Sequence, residues 1–383
     1  MSSMTDAESL LGLDDMLTEP QREVRDRARD VGRRLAATID ADADACLFRR
    51  ELVGVLADAG LVGLGIAGPG ADADAVSYGL ACYELEAVDT SWRTFLSVQG
   101  PLAMGAIARH GSPEQRERWL APMAAGEAIG CFALTEPSGG SDPGAMTTTA
   151  VRDGAGWRLT GHKRWIGLAS VADVAVVWAR TDEGIRGFLV ELPAAGFTAT
   201  DITGKLALRA SIQCDIVLDG VPAVELPGAV GVGAAFACLT DARFGIAWGV
   251  LGAARACLDA AIERAATREV FGGPIGGKQL VQARLADAFV EYEKGMLLAL
   301  HLAALKDAKA LTPAQMSVGK LNNVRQAIAI AHAAREILAG DGITDEFPVM
   351  RHLANLEAVR TYEGTDDIHT LVIGRALTGL GAF

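Results

Sequence analysis

No two cysteines of this chain stand in a C-x-x-C pair. The six, at positions 46, 82, 131, 214, 238 and 257, read as small buried hydrophobes in a reducing compartment rather than as disulfides or ligands. The six histidines form no H-x-x-x-H pair and none stands beside a suitable cysteine, so no metal site is expected. Positive charge is in deficit, with 35 Lys and Arg against 48 Asp and Glu and a net charge of −13. A nucleic-acid backbone would repel such a chain, so no nucleic acid is expected as partner. A polyanionic small ligand stays admissible, because local basic residues and helix N-termini hold phosphates whatever the net charge. No uninterrupted apolar run reads as long enough to span a bilayer, so no membrane insertion is expected. The acidic start (Asp6, Glu8, Asp14, Asp15) has neither the apolar core of a signal peptide nor the arginines of a transit peptide. The expectation is a soluble, cytoplasmic protein.

What is present is the composition of a globular chain. Half of the 383 residues are hydrophobic and 22% are charged, enough for two or three domains with ample core. Thr18-Glu19-Pro20-Gln21 is a capping box, and Val24, Ala28, Val31 and Leu35 follow at helical spacing. Leu52, Val55, Leu56 and Ala59 repeat the pattern up to a capping Gly60, and Ser112-Pro113-Glu114-Gln115 opens another helix. The character changes near Cys131. Trp157, Leu159 and Gly161 lead into a strand, and Ala175 to Trp178 and Phe188 to Val190 are short β-rich runs between turn residues. Gly228 to Gly233 reads as a linker or flexible loop. Helices then return: Phe244, Trp248 and Leu251 mark one, Leu280, Ala283 and Leu285 a second. Thr312-Pro313 opens a third, with Leu321, Val324 and Ile328 along it and Gly340 at its end. The spacing predicts a helical domain over 1–130, a small β domain over 131–228 and a second helical domain over 229–383.

Five stretches carry chemistry. In Arg360-Thr-Tyr-Glu-Gly-Thr-Asp-Asp-Ile-His369 a carboxylate, Glu363, stands directly before Gly364 in an otherwise apolar helical region. Glycine lets a ligand approach the backbone, and the N–H groups freed beside it suit an anion. Cys131-Phe-Ala-Leu-Thr-Glu-Pro-Ser-Gly-Gly-Ser-Asp142 lies where helix gives way to strand; its hydroxyls and flexible glycines suit a planar heterocycle and a pyrophosphate. Lys163-Arg-Trp-Ile-Gly167 is a strand segment with a tryptophan. Arg268-Glu-Val-Phe-Gly-Gly-Pro-Ile275, followed by Gln279, offers a planar guanidinium that can bond two phosphate oxygens. In Glu86-Ala-Val-Asp-Thr-Ser-Trp-Arg-Thr-Phe-Leu-Ser97 an arginine sits among apolar helix residues, where it needs an anion. Taken singly, each also has a plain reading: a helix end, a β-turn, a core tryptophan, or a salt bridge of Arg93 to Glu86 or Asp89.

Taken together, these stretches resemble the acyl-CoA dehydrogenase family from about residue 15 to residue 383, most closely its glutaryl-CoA branch. The resemblance implies a mainly α fold with a central β-barrel-like domain between an N-terminal helical domain and a C-terminal four-helix bundle. It implies FAD as cofactor, an acyl-CoA thioester as substrate, an electron-transfer flavoprotein as acceptor, and a homo-oligomer, a tetramer in the family pattern. Glu363 would be the base that removes the α-proton while hydride passes to flavin N5. Glu86, Arg93, Thr94 and Ser97 would line the far end of the acyl pocket, with Arg93 on a distal carboxylate. Ser141, Phe236, Asp241, Arg243, Tyr362 and Gly364 would complete the substrate site.

FAD would meet Phe132, Leu134, Thr135, Gly140, Ser141, Trp165, Ile166 and Gly167, with Thr365 and Asp367 near Glu363. Arg268, Phe271, Gln279, Glu336, Leu338 and Gly340 would reach the FAD of a neighbouring copy. Three departures stand out. Gly167 replaces a threonine whose hydroxyl would lie near N5, which leaves room there for water or O2. Ala339 replaces a glycine, and Asp366 a histidine. An acyl-CoA oxidase, a dehydrogenase of a carrier-protein thioester, a flavin-free lyase and a silent descendant of the enzyme remain the alternatives.

Overall fold

The computed structural model describes residues 10–382 apart from Ala155; Asp6 and Glu8 of the acidic start lie outside the described residues. In chain order the helices before the sheet are α1 (Glu19–Ala36), α2 (Ile39–Ala45), α3 (Val53–Asp58), α4 (Ala75–Val88), α5 (Thr90–Ser97), α6 (Gly105–His110) and α7 (Pro113–Ala124). The strands are β1 (Gly130–Ala133), β2 (Thr149–Asp153), β3 (Gly156–Gly167), β4 (Val174–Thr181), β5 (Gly184–Glu191), β6 (Phe197–Asp201) and β7 (Gln213–Val230). Then come α8 (Val232–Thr267), the short pair β8 (Glu269–Val270) and β9 (Gly273–Pro274), α9 (Gln279–Asp307), α10 (Pro313–Leu338), α11 (Val349–Thr361) and α12 (Asp366–Thr378).

The chain forms two compact units, each drawn from separated stretches. One holds residues 10–40, 74–93 and 243–382; the other holds 41–73 and 94–242. In the first, the capping boxes read from the sequence are in place: Gln21 accepts from the Thr18 N–H at 2.8 Å and Gln315 from the Thr312 N–H at 2.8 Å. Val24, Ala28, Val31 and Leu35 are buried along α1, and Phe244, Trp248 and Leu251 are fully buried along α8. Glu84 of α4 is buried and joins α1 to α8, accepting from Arg29 at 2.8 Å and from Arg255 at 2.9 Å. On α9 the expected face is less enclosed, with Leu280 74% exposed.

The second unit is built on a seven-stranded sheet ordered β1-β4-β2-β3-β7-β5, with β6 added to β7. Because β4 also pairs with β5, the path β4-β2-β3-β7-β5 returns on itself in a barrel-like closure. Its interior is Leu159, Ile166, Val177, Phe188, Val190, Ile216 and Val221 with small residues between them. Against β1 lies a π-helical turn, Val98–Met104, containing Pro101, which has no N–H to donate to a helix. Gln99 fixes that turn: its amide donates to Met123 O and Ala128 O and accepts from the Gly130 N–H at 2.8 Å.

Two expectations are corrected. The segment 228–233 is no linker, since β7 continues to Val230 and α8 begins at Val232. Only Gly231, at φ 74°, stands between them. The left-handed residue ending α10 is Ala339, at φ 57° and ψ −125°, and Gly340 follows in an ordinary helical conformation. Among the described residues one helix, α8, is long and apolar enough to cross a membrane by length and composition. Its apolar window is 72% buried, the state of a core helix.

Candidate active site

Glu363 occupies the turn between α11 and α12, in the first unit. Its own φ is 53° and that of Gly364 is 96°. A left-handed non-glycine residue costs about 1–2 kcal/mol, so this turn has to be held. Three successive carbonyls are. Lys320 of α10 donates to Tyr362 O and, at 2.6 Å, to Gly364 O, while Arg243 of α8 donates to Glu363 O at 2.8 Å. Thr365 caps α12 by accepting from the Ile368 N–H at 3.2 Å. A Cβ on residue 364 would come 2.7 Å from His369 Nε2, so only glycine lets the turn lie on that ring. His369 in turn meets Ser317 Oγ at 2.9 Å.

The Glu363 Oε2 atom is buried and accepts no hydrogen bond among the described residues. Burial raises the Glu363 carboxyl above the usual range, opposed by Lys320, Arg93 and Arg243. Burial also pushes Lys320 down to about 7, and it drives His369 to about 3, with Lys320 and Arg243 adding to the effect. Asp366 accepts from Arg325 and Arg360, both at 3.0 Å. The residue that departs from the resemblance thus ties α10 and α11 to the start of α12. Asp367 is exposed.

Tyr362 links the turn to the Arg93 cluster. Arg93 is fully buried; its Nε donates to Glu86 Oε2 at 2.6 Å and its Nη2 to the Tyr362 hydroxyl. The other Glu86 oxygen accepts from Thr90 at 3.0 Å. The salt bridge weighed as the plain reading of Arg93 is therefore present. It leaves one end of the fork over: Arg93 Nη1 is buried and finds no acceptor among the described residues, and the hydroxyls of Thr94 and Ser97 on the same helix are likewise unpaired. Burial lifts Glu86, with Arg93 opposing it. Gly249 of α8 makes the space, since a Cβ there would overlap Glu86 Oε2 and stand 2.9 Å from Arg93 Cγ. Leaving a buried guanidinium N–H without a partner costs on the order of 1–3 kcal/mol, which an arriving carboxylate would recover.

In the second unit the loop after β1 is tied to a bulge in β3. The register of β3 against β7 shifts between Lys163 and Ile166. The buried Lys163 donates to Leu134 O at 2.9 Å and to Glu136 at 3.0 Å. The Arg164 N–H donates to Thr135 O at 2.9 Å, and this backbone bond sets the loop and the bulge side by side. Thr147 and Thr148 close the same knot, Thr147 donating to Glu136 from backbone and side chain and Thr148 from its backbone. Burial would raise Glu136, but these donors and Lys163 outweigh it and hold the carboxyl down at about 2. The bulge puts Trp165 at φ 62° and turns it outward, 53% exposed, while Ile166 stays in the core. An exposed indole beside Thr135, with Gly140 and Ser141 also exposed, is a ledge that fits a planar heterocycle and its phosphates. Phe132 and Leu134 are buried, so Leu134 can offer a ligand only its backbone. At Gly167 a Cβ would meet Val98 Cγ2 at 3.1 Å, so a side chain there would press on that valine methyl.

The remaining expected residues have other surroundings. Asp241 is paired with Arg109, and Phe236 is 39% exposed. Phe271 is 95% exposed at the tip of the β8–β9 hairpin, and Arg268 and Gln279 flank it, also exposed. Glu336 pairs with Arg284 at 3.1 Å, Gly340 is exposed, and Leu338 is fully buried, so the Leu338 side chain belongs to the core. Lys320, Ser317 and Gly249 were missed by sequence reasoning. Lys320 had a signal, as it sits four residues before Val324 on the buried stripe of α10.

This arrangement has relatives. The chain matches the acyl-CoA dehydrogenase N-terminal domain over residues 18–127, the middle domain over 131–221 and the C-terminal domain over 230–378. It belongs to the acyl-CoA dehydrogenase family, and it is an FAD-dependent enzyme with that family's fold. It is 36% identical to the mitochondrial short-chain specific acyl-CoA dehydrogenase of Bos taurus over 369 residues, covering 93% of this chain and 90% of that one. Among solved structures, it is similar to a glutaryl-CoA dehydrogenase from Mycobacterium smegmatis, with 55% identity, a TM-score of 0.96 and coverage of 98% and 99% of the two chains. A second glutaryl-CoA dehydrogenase structure from that organism, in complex with FADH2, matches at 50% identity and a TM-score of 0.96, covering 98% of each chain.

Proposed function

We propose that this acyl-CoA dehydrogenase oxidises and decarboxylates glutaryl-CoA or a dicarboxylyl-CoA of similar length. The observation that carries the reading is Arg93, fully buried with Nη1 unpaired among the described residues although Glu86 already holds Nε. A distal carboxylate is the group that would complete that fork. The similarity to two glutaryl-CoA dehydrogenases supports the same substrate class.

Glu363 removes the α-proton of the thioester; its buried, unbonded Oε2 and raised carboxyl suit a general base. FAD, when bound, accepts the β-hydride. Thr135, Ser141 and Trp165 are the residues of this chain that would hold it. The unsaturated product then loses its distal carboxylate as CO2, with the electron pair moving into the thioester dienolate. Glu363 returns its proton to that dienolate, which leaves crotonyl-CoA. The exposed Arg268, Phe271 and Gln279 fit a second part of the reading, in which they serve the FAD of a neighbouring copy in a homotetramer. The acceptor is taken as an electron-transfer flavoprotein.

The test is anaerobic mixing with glutaryl-CoA, following flavin absorbance and the product mass. Bleaching with crotonyl-CoA and CO2 is expected. Bleaching with glutaconyl-CoA would remove the decarboxylation, and no bleaching of the FAD-loaded protein would remove the substrate. In parallel, Arg93→Ala is expected to lose far more rate with glutaryl-CoA than with butyryl-CoA, and equal losses would remove the carboxylate clamp.

A further inference from the structure

Lys320 is a lysine of α10 that is 1% exposed, and its ammonium bonds backbone rather than a carboxylate. It spends two donors on the carbonyls flanking Glu363, those of Tyr362 and Gly364. Its Nζ also lies 5.8 Å from the centre of the Tyr362 ring. A buried ammonium is costly to desolvate and is retained where it does specific work. Here it spans a turn whose central residue is left-handed and would otherwise relax. The charged groups facing it are Glu363, Arg243, Asp366 and Arg93, with the neutral His369 ring against Gly364. Of these, Glu363 is the carboxylate of the proposed reaction.

We propose that Lys320 is a positioning residue for Glu363: it locks the strained turn that aims the carboxylate, and it places a positive charge beside that carboxylate. This rests on the reading of Glu363 as the α-proton base. Lys320 touches no reacting atom. Its effect passes through the backbone of residues 362–364 and through the field at the carboxylate. A misplacement of about 1 Å can cost on the order of 100-fold in rate.

The test follows α-proton exchange into D2O by NMR. The probes are 3-thiaglutaryl-CoA and 3-thiabutyryl-CoA, in which sulfur replaces the β-carbon so that no hydride can leave. Wild type, Glu363→Gln, Lys320→Met and Lys320→Gln are compared as FAD-loaded proteins from about pH 5 to about pH 9, a range that brackets a carboxyl raised toward neutrality. Glu363→Gln is expected to abolish exchange. Lys320→Met is expected to slow it by about 100-fold with KM within about threefold, and to move the pH midpoint of the base upward. Lys320→Gln, which keeps donors but not charge, should move the midpoint as far with a smaller loss of rate. A simple packing defect would lower the rate without moving the midpoint, and that result overturns the proposal. So do a rate within twofold and an unmoved midpoint in Lys320→Met, or in Lys320→Gln should the methionine variant not fold. Exchange that survives in Glu363→Gln, or is missing from wild type with both probes, instead overturns the base reading on which the proposal stands.

Discussion

Glu86→Gln separates the two roles that the buried arginine cluster can play. Arg93 and Glu86 are each fully buried, and they meet at 2.6 Å. Removing one partner of such a pair leaves an uncompensated charge and costs about 3–5 kcal/mol. Glutamine keeps an acceptor for Arg93 Nε, so the lower end, about 3 kcal/mol, is expected, or on the order of 5 °C in melting temperature. A dicarboxylyl thioester brings the missing anion. Thermal melting of wild type and variant, with and without 3-thiaglutaryl-CoA and 3-thiabutyryl-CoA, gives four ligand-induced shifts. The dicarboxylyl probe is expected to raise the melting temperature of Glu86→Gln several degrees more than that of wild type. The monocarboxylyl probe should shift both proteins equally. If the dicarboxylyl probe also shifts both equally, Arg93 does not sense the distal carboxylate and the reasoning fails.

Three further outcomes follow from the geometry. Gly249→Ala drives a methyl into Glu86 Oε2, so it should cost about 1–3 kcal/mol by overpacking; a loss under ~0.5 kcal/mol in denaturant unfolding would show that the cluster can give way. Ala339→Gly relieves an L-residue at φ 57° and ψ −125°. The relief of about 1–2 kcal/mol should exceed the unfolded-state cost of glycine, about 0.5–1 kcal/mol, so a modest gain in denaturation midpoint is expected and a loss refutes the strain.

The third outcome concerns acid. His352 and His369 are buried and held down to about 4 and about 3, chiefly by burial. Their unfolded forms bind protons below about pH 6.5 while the folded forms do not. Their contribution to stability is therefore full above about pH 6.5 and is lost as the pH falls toward 4, by about 1.4 kcal/mol per pH unit for each ring. The buried carboxyls of Glu86 and Glu363, which are lifted, act in the opposite sense and reduce the net slope. Melting temperature measured from about pH 7.5 to about pH 5 should fall, and it should fall less steeply in His352→Met; parallel curves would exclude His352 as a source.

Much of this was legible in the sequence because it is local. Capping boxes at Thr18, Ser112 and Thr312 act over three residues, and apolar spacing along α1 and α8 is set by the helix itself. Glu363 and Arg93 stood out as charges in apolar surroundings. What was not legible depends on partners far along the chain. Lys320 is 42 residues from Tyr362, and Gly249 lies on α8, the element directly after the sheet, while Glu86 precedes the sheet. A glycine-rich run such as 228–233 carries no sign that neighbouring strands will take it into a sheet, as β5 and β7 do here. The same limit applied to Asp241, whose partner Arg109 lies 132 residues earlier in the chain.

Val98 and Gly167 occupy one small volume between the π-helical turn and the end of β3, the valine methyl standing 3.1 Å from where a side chain at 167 would begin. The two positions are therefore not independent variables. A threonine introduced at 167 alone meets the valine, and a smaller residue at 98 alone opens a void that nothing fills. Pairing the exchange with a smaller residue at 98 would relieve that contact. A threonine transferred to 167 is therefore read together with the residue at 98, and the order of the two steps decides whether the intermediate is crowded or hollow.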